Sequence, residues 1–151
     1  MLDDLRELYQ EVILDHGRNP RNLRNPPEAN RHAHGHNPMC GDSVVVHATV
    51  DDAGIIRDVA FEGKGCAISV ASASLMTEVL KGKTEAEATA LFERFRDMCT
   101  NDNAGDPDDE ELERLQVLSG VRQFPMRVKC ATLAWHTLSA AMAGDGDVTT
   151  E

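Results

Sequence analysis

The sequence predicts an α+β fold: a small antiparallel sheet of about three strands, packed on one face by helices. Three observations predict it. The chain opens on an apolar stripe at helical spacing. Two runs of alternating apolar residues then follow, joined by a turn. After residue 65 almost every patterned stretch has the helical period. The chain has 151 residues, which suits one domain with one core over residues 1–151. Aromatic residues make up only 4%, so that core is expected to be aliphatic and alanine-rich.

Residues 3–15 read as the first helix, with Leu5, Leu8, Tyr9, Val12 and Ile13 on one side and Asp3 or Asp4 as its cap. Its bland role is packing; the alternative is docking a partner. Gly17 and Asn19-Pro20 stop it, and three prolines and four asparagines make residues 18–30 an irregular loop. Residues 31–36 alternate weakly and are expected as a short edge strand. Residues 43–50 make a clearer strand, with Val44, Val46, Ala48 and Val50 on one face. Asp51-Asp52-Ala53-Gly54 is a turn, and residues 55–61 return as the next strand.

Gly63-Lys64-Gly65 then leads into a helix over residues 66–81, whose inner face is Ile68, Ala71, Ser72, Leu75, Met76 and Val79. Its many alanines and serines permit close packing on the sheet. Thr84-Glu85-Ala86-Glu87 is a capping box opening another helix, with Ala88, Leu91, Phe92, Phe95 and Met98 facing inward. Residues 100–111 read as an acidic loop. Asp106-Pro107 is expected to start a short helix carrying Leu112, Leu115 and Leu118 to about Gly120. A last helix runs from Pro125 to about Ala143, burying Val128, Ala131, Leu133, Ala134, Trp135, Leu138 and Met142. Gly144 onward is expected as a frayed acidic tail.

The net charge of −11 argues against nucleic acid as a partner, because phosphate binding needs a basic surface. Apolar runs are far too short for a membrane span. Met1-Leu2-Asp3-Asp4 is unlike the basic start of a secretory signal, so a cytoplasmic protein is expected. There, cysteines signify metal or catalysis more often than disulfides.

The chemistry concentrates at Asn37-Pro38-Met39-Cys40-Gly41-Asp42. A thiolate and a carboxylate stand two residues apart, and both are good zinc ligands. The glycine between them frees the backbone to turn both side chains toward one point. Completing a tetrahedron requires donors from elsewhere in the chain. Cys66 follows Gly65 at a strand-to-helix junction, where helix N–H groups favour a thiolate, and Cys130 lies near a helix start. The central expectation is one metal site of Cys40, Asp42, Cys66 and Cys130.

Each cysteine taken singly would more simply be a small apolar filler. There is no C-x-x-C pair. Cys99 reads as a structural or exposed thiol. His32, His34 and His36 share a face if their stretch is a strand, which offers a zinc or copper site as an alternative, but nothing nearby supplies a fourth donor, so they read as surface residues or outer neighbours of the main site. His16, His47 and His136 read as ordinary helix and strand residues. Three thiolates and a carboxylate leave zinc no open position for hydrolysis. The same donors accept an iron–sulfur cluster. If the weaker ligand set lets one thiolate leave, that thiolate can attack sulfur and carry a persulfide.

Leu8-Tyr9-Gln10-Glu11-Val12-Ile13, Asn19-Pro20-Arg21-Asn22 and Asn37-Pro38-Met39-Cys40-Gly41-Asp42 resemble the IscU/NifU-N iron–sulfur cluster assembly family. So do Phe61-Glu62-Gly63-Lys64-Gly65-Cys66, Ala71-Ser72-Ala73-Ser74-Leu75-Met76 and Arg127-Val128-Lys129-Cys130-Ala131-Thr132-Leu133-Ala134-Trp135. Lys129, where IscU-type scaffolds have histidine, and an apparent insertion over residues 98–118 resemble the SufU branch. The resemblance implies a SufE/IscU-like fold and a zinc-dependent sulfurtransferase. It would accept persulfide sulfur on Cys40 from a SufS-type cysteine desulfurase and pass it toward an assembly complex such as SufBCD. Asp42, Cys66 and Cys130 would hold zinc, with Arg127 and Lys129 beside the site. The alternative it implies is a scaffold for a nascent [2Fe–2S] or [4Fe–4S] cluster. Ser43 departs from some SufU proteins, which have arginine there.

Overall fold

A computed structural model describes residues 2–38, 41–100, 112, 114–144 and 146–149, with side-chain surroundings for those between Tyr9 and Asp147. The element order is α1 (Leu2–Arg18), β1 (Arg31–Asn37), β2 (Asp42–Val50), β3 (Ile56–Lys64), α2 (Ala67–Leu80), α3 (Glu85–Thr100), a 3-10 helix (Gln116–Gln123), α4 (Pro125–Ala143) and β4 (Asp147–Thr149). The predicted three-stranded antiparallel sheet is present, in the order β3-β2-β1, with helices packed on one face. The fold class is α+β.

Alternation sets the two faces. Ala33, Val44, Val46, Ala48, Val59 and Phe61 point inward and are buried. His32, His34 and His36 lie on the other face. The helix α4 crosses β1 closely at Gly35, where a β-carbon would fall 1.9 Å from Thr137 Oγ1. No larger residue fits between strand and helix there.

Three expectations are corrected. Residues 31–37 are an inner strand, with β2 on one side and β4 on the other. The stretch after Gly144 was expected to fray, but Asp147–Thr149 pair in parallel with His34–His36, and Gly146 O accepts the His34 N–H at 2.8 Å. An acidic composition does not prevent backbone pairing where a strand offers free groups. The segment after Leu115 is a 3-10 helix that continues past Gly120 to Gln123. The expected loop over residues 101–111 and the Asp106-Pro107 cap lie outside the described residues.

The irregular loop after α1 has a structural task. Phe61 N–H donates to Asn22 O and Arg24 N–H to Phe61 O, both at 3.0 Å. The loop therefore pairs with the outer edge of β3, which would otherwise be open to another chain. Asn22 takes the left-handed conformation (φ 61°) and its Nδ2 donates to Thr77 Oγ1 at 3.0 Å. The turn at residues 51–55 is held by Asp51, whose Oδ1 accepts the N–H groups of Ala53 and Ile55. Those bonds, led by the one from Ile55, hold its carboxyl below the usual carboxylate range.

The α2 helix is the central one, buried along nearly its whole length from Ser69 to Leu80. Ser72 and Ser74 satisfy their hydroxyls across the core. Ser72 Oγ donates to Ala131 O and accepts from Trp135 Nε1 at 3.1 Å. Ser74 Oγ accepts the Arg21 N–H at 2.8 Å and pairs with His16 Nδ1 at 2.7 Å. His16, expected as an ordinary helix residue, is thus a buried pin between α1 and α2. Burial, reinforced by Arg21, holds its imidazole below the usual histidine range.

The capping box forms as predicted. Thr84 Oγ1 accepts the Glu87 N–H at 3.1 Å and Glu87 Oε1 accepts the Thr84 N–H at 3.0 Å. Thr84→Ala should therefore cost about 1 kcal/mol of stability, read as a shifted urea midpoint with unchanged slope.

Candidate metal centre

Asp42 begins β2 with inward parity, alongside Val44 and Val46. It is wholly buried. Gly41 before it has φ +71°, a conformation open to glycine, and this sets the carboxylate's direction as the chain enters the strand. Asp42 Oδ1 accepts the Cys66 N–H at 2.9 Å. Its other oxygen, Oδ2, is buried and has no hydrogen-bond partner among the described residues. A buried carboxylate oxygen is costly to leave bare, so this atom is a candidate donor to a metal ion.

Cys66 is the N-cap of α2 (φ −68°, ψ 165°) and is partly exposed. Its side chain makes no capping bond, so the thiol is left for other work. Cys130 lies in the second turn of α4, which Pro125 opens, and is wholly buried. The ligand atoms of Asp42, Cys66 and Cys130 all lie within 4.8 Å of one another. Two sulfurs bound to one zinc at 2.3 Å stand about 3.8 Å apart, so three donors at this spacing fit that ion. Among the described residues this is the only such group of three.

Three of the four expected ligands therefore converge. The fourth, Cys40, lies outside the described residues and is tied to the site by sequence, two positions before Asp42. Arg127 and Lys129, expected beside the site, are exposed residues of the first turns of α4. Cys99 does not join the cluster. It is buried in the apolar core, and burial pushes its thiol up to about 12. It is a core filler and not an exposed thiol.

Two glycines and an asparagine complete the cradle. A β-carbon on Gly65 would stand 2.5 Å from Asp42 Oδ1. The carboxylate therefore occupies space that any other residue would claim. Gly65→Ala should displace it and weaken zinc binding by about tenfold while the far-UV circular dichroism stays unchanged. Asn37 is paired with Asp42 across the β1–β2 hairpin and is also wholly buried. Its Nδ2 faces Cys130 Sγ at 3.7 Å, and its Oδ1 has no partner among the described residues. Sequence reading took Asn37 only as part of a motif. Its one readable signal was parity: with Ala33 and Gly35 it falls on the inner face.

The model of the NifU-like N terminal domain matches residues 8–144. The chain is 40% identical over 140 residues to the zinc-dependent sulfurtransferase SufU of Bacillus subtilis, covering 93% of this chain and 92% of that one. It is 39% identical over 151 residues to the iron–sulfur cluster assembly scaffold protein IscU of Streptococcus pyogenes, covering 93% and 86%. Among solved structures it resembles a putative iron–sulfur cluster assembly scaffold protein for the SUF system from Fervidobacterium islandicum. The TM-score is 0.79 at 35% identity, over 87% of this chain and 94% of that one. With its sheet, its helices and its Asp-Cys-Cys cluster in this arrangement, the chain belongs to the NifU-like N-terminal domain family of iron–sulfur cluster assembly proteins.

Proposed function

We propose that this protein is a zinc-dependent sulfurtransferase. It receives persulfide sulfur from a SufS-type cysteine desulfurase and passes it to iron–sulfur cluster assembly, with a complex such as SufBCD as acceptor. The observation that carries the reading is the buried Asp42 Oδ2, without a hydrogen-bond partner among the described residues, set among Cys66 and Cys130. Asp42, Cys66 and Cys130 would hold the ion, with Cys40 as its fourth ligand at rest and as the sulfur acceptor. A zinc ion there would keep the cysteines as thiolates near neutral pH. The Cys40 thiolate, freed when a donor from the desulfurase takes its place, attacks the outer sulfur of the donor's persulfide. A new S–S bond forms as the donor's S–S bond breaks, and the donor cysteine leaves as a thiolate with the electron pair. No oxidant or reductant is consumed. Arg127 and Lys129 supply positive charge at the exposed side of the site, where an anionic sulfur species would approach.

Among the described residues no helix is long and apolar enough to cross a membrane. The expected single domain over residues 1–151 and the cytoplasmic location belong to the same proposal, as does the absence of a nucleic-acid partner.

A second reading, a scaffold that binds a nascent iron–sulfur cluster on the same residues, is supported by the printed role of the Streptococcus pyogenes relative. One experiment separates the two. The purified protein is analysed for zinc, iron and labile sulfide, then incubated with cysteine and a SufS-type desulfurase and weighed by intact mass. One zinc per chain and a one-sulfur adduct that vanishes in Cys40→Ala are expected. Iron with labile sulfide, and no zinc, would support the scaffold. Zinc without an adduct would remove both readings and leave a structural metal domain.

A further inference from the structure

The face of the sheet away from the helices carries His32, His34 and His36 on β1 and His47 on β2. His32 and His47 are directly opposed in the antiparallel register. Their Nδ1 atoms approach to 2.7 Å, with the rings edge to face at 75°. The outer nitrogens are each engaged. His32 Nε2 stands 3.1 Å from Ala29 O, and His47 Nε2 stands 2.8 Å from Glu62 Oε1.

These partners fix the tautomers. A carbonyl and a carboxylate oxygen only accept, so each Nε2 must carry its hydrogen and donate it. In two neutral rings both Nδ1 atoms are then bare lone pairs, pointed at one another. Such a pair is repulsive unless a cation sits between the nitrogens. The arrangement on either side is the one that metal-bound histidines adopt: one nitrogen toward the ion, the other donating to a carboxylate or a backbone carbonyl.

We propose that His32 and His47 form a second metal site, open to water, for a borderline divalent ion such as Zn2+. Imidazole nitrogens suit that ion, and the carboxylate of Glu62 offsets its charge. Zinc–nitrogen bonds of 2.0–2.1 Å at a tetrahedral angle need the two nitrogens about 3.3 Å apart. His47 is buried and fixed, whereas the His32 ring is exposed and can withdraw by that amount. Water supplies the other positions. His34 does not join: its Nε2 is bonded to Ser43 Oγ at 2.8 Å, and its Nδ1 faces Asp147 Oδ1 at 3.7 Å. The inference does not depend on the proposed sulfur chemistry, because the residues are distinct.

The test is equilibrium dialysis of the full chain against zinc alone, followed by elemental analysis. The wild-type chain is expected to take two zinc ions, the second more weakly. His32→Ala, on an exposed side chain, should keep the first ion and lose the second. Cys130→Ser should lose the first and keep the second. Glu62→Ala should weaken the second by about tenfold. In nitrogen-detected NMR the Nδ1 signals of His32 and His47 should move on addition of the second equivalent. A second equivalent that survives both His32→Ala and His47→Gln would overturn the proposal. So would saturation at one ion with the two Nδ1 signals unmoved, which would mean that the pair shares only a proton.

Discussion

Asp42→Ala should lose zinc by more than the 10–100-fold that removal of an outer neighbour of a metal site costs, because at the proposed centre it deletes a ligand outright. It also strands the Cys66 N–H, which Asp42 Oδ1 accepts at 2.9 Å. Asp42→Asn separates these two effects. An asparagine oxygen can keep the bond to Cys66, but it brings no negative charge to the ion. If the ligand role dominates, both variants should lose zinc on dialysis against a moderate chelator. If only the hydrogen bond mattered, Asp42→Asn would retain it. Retention of one tightly held zinc by Asp42→Ala would sink the Asp-Cys-Cys site. Acid gives a check with a definite sign. The thiols must be deprotonated to bind, so lowering the pH should release zinc and remove the stability that zinc contributes, and raising it again should restore both.

Trp135→Ala should be the most damaging change outside the site. Trp135 is 1% exposed and stacks on Phe95 with ring centroids 4.8 Å apart and on Phe92 at 5.9 Å. Its Nε1 donates to Ser72 Oγ, which in turn bonds Ala131 O. Removing a buried tryptophan costs about 3–5 kcal/mol, from lost transfer energy and the cavity left behind. In a chain of this size that lowers the melting temperature by on the order of 10 °C. The consequence reaches the metal centre, since Cys130 stands five residues earlier on the same helix. Trp135→Phe should recover much of the loss, because it keeps a ring between Phe92 and Phe95. Thermal unfolding of the two variants with and without zinc measures the loss directly. An equal melting temperature for Trp135→Ala and the wild type would contradict this account of the core.

By itself the sequence determined the class of fold, most element positions and three of the residues whose side chains come together. These rest on local rules. Strand alternation puts Asp42 on the same face as Val44 and Val46, and the Thr84 and Glu87 side chains cap their own helix. Gly65 beside Cys66 and Gly41 beside Asp42 mark tight places in the chain itself. Tertiary structure decided what depends on residues far apart in the chain. Residues 147–149 have no strand pattern, and they become a strand because β1 presents free backbone groups to them. His16 could not be told from a surface histidine until Ser74, 58 residues away, met it in the core. Cys99 was equally mute, because burial is a property of its neighbours. The same holds for the outer face of the sheet. Nothing in the sequence shows what faces His32, and the β1–β2 register decides it by setting His47 opposite. Pairing register is fixed by hydrogen bonds between strands, and no single strand records which residue its partner will bring alongside.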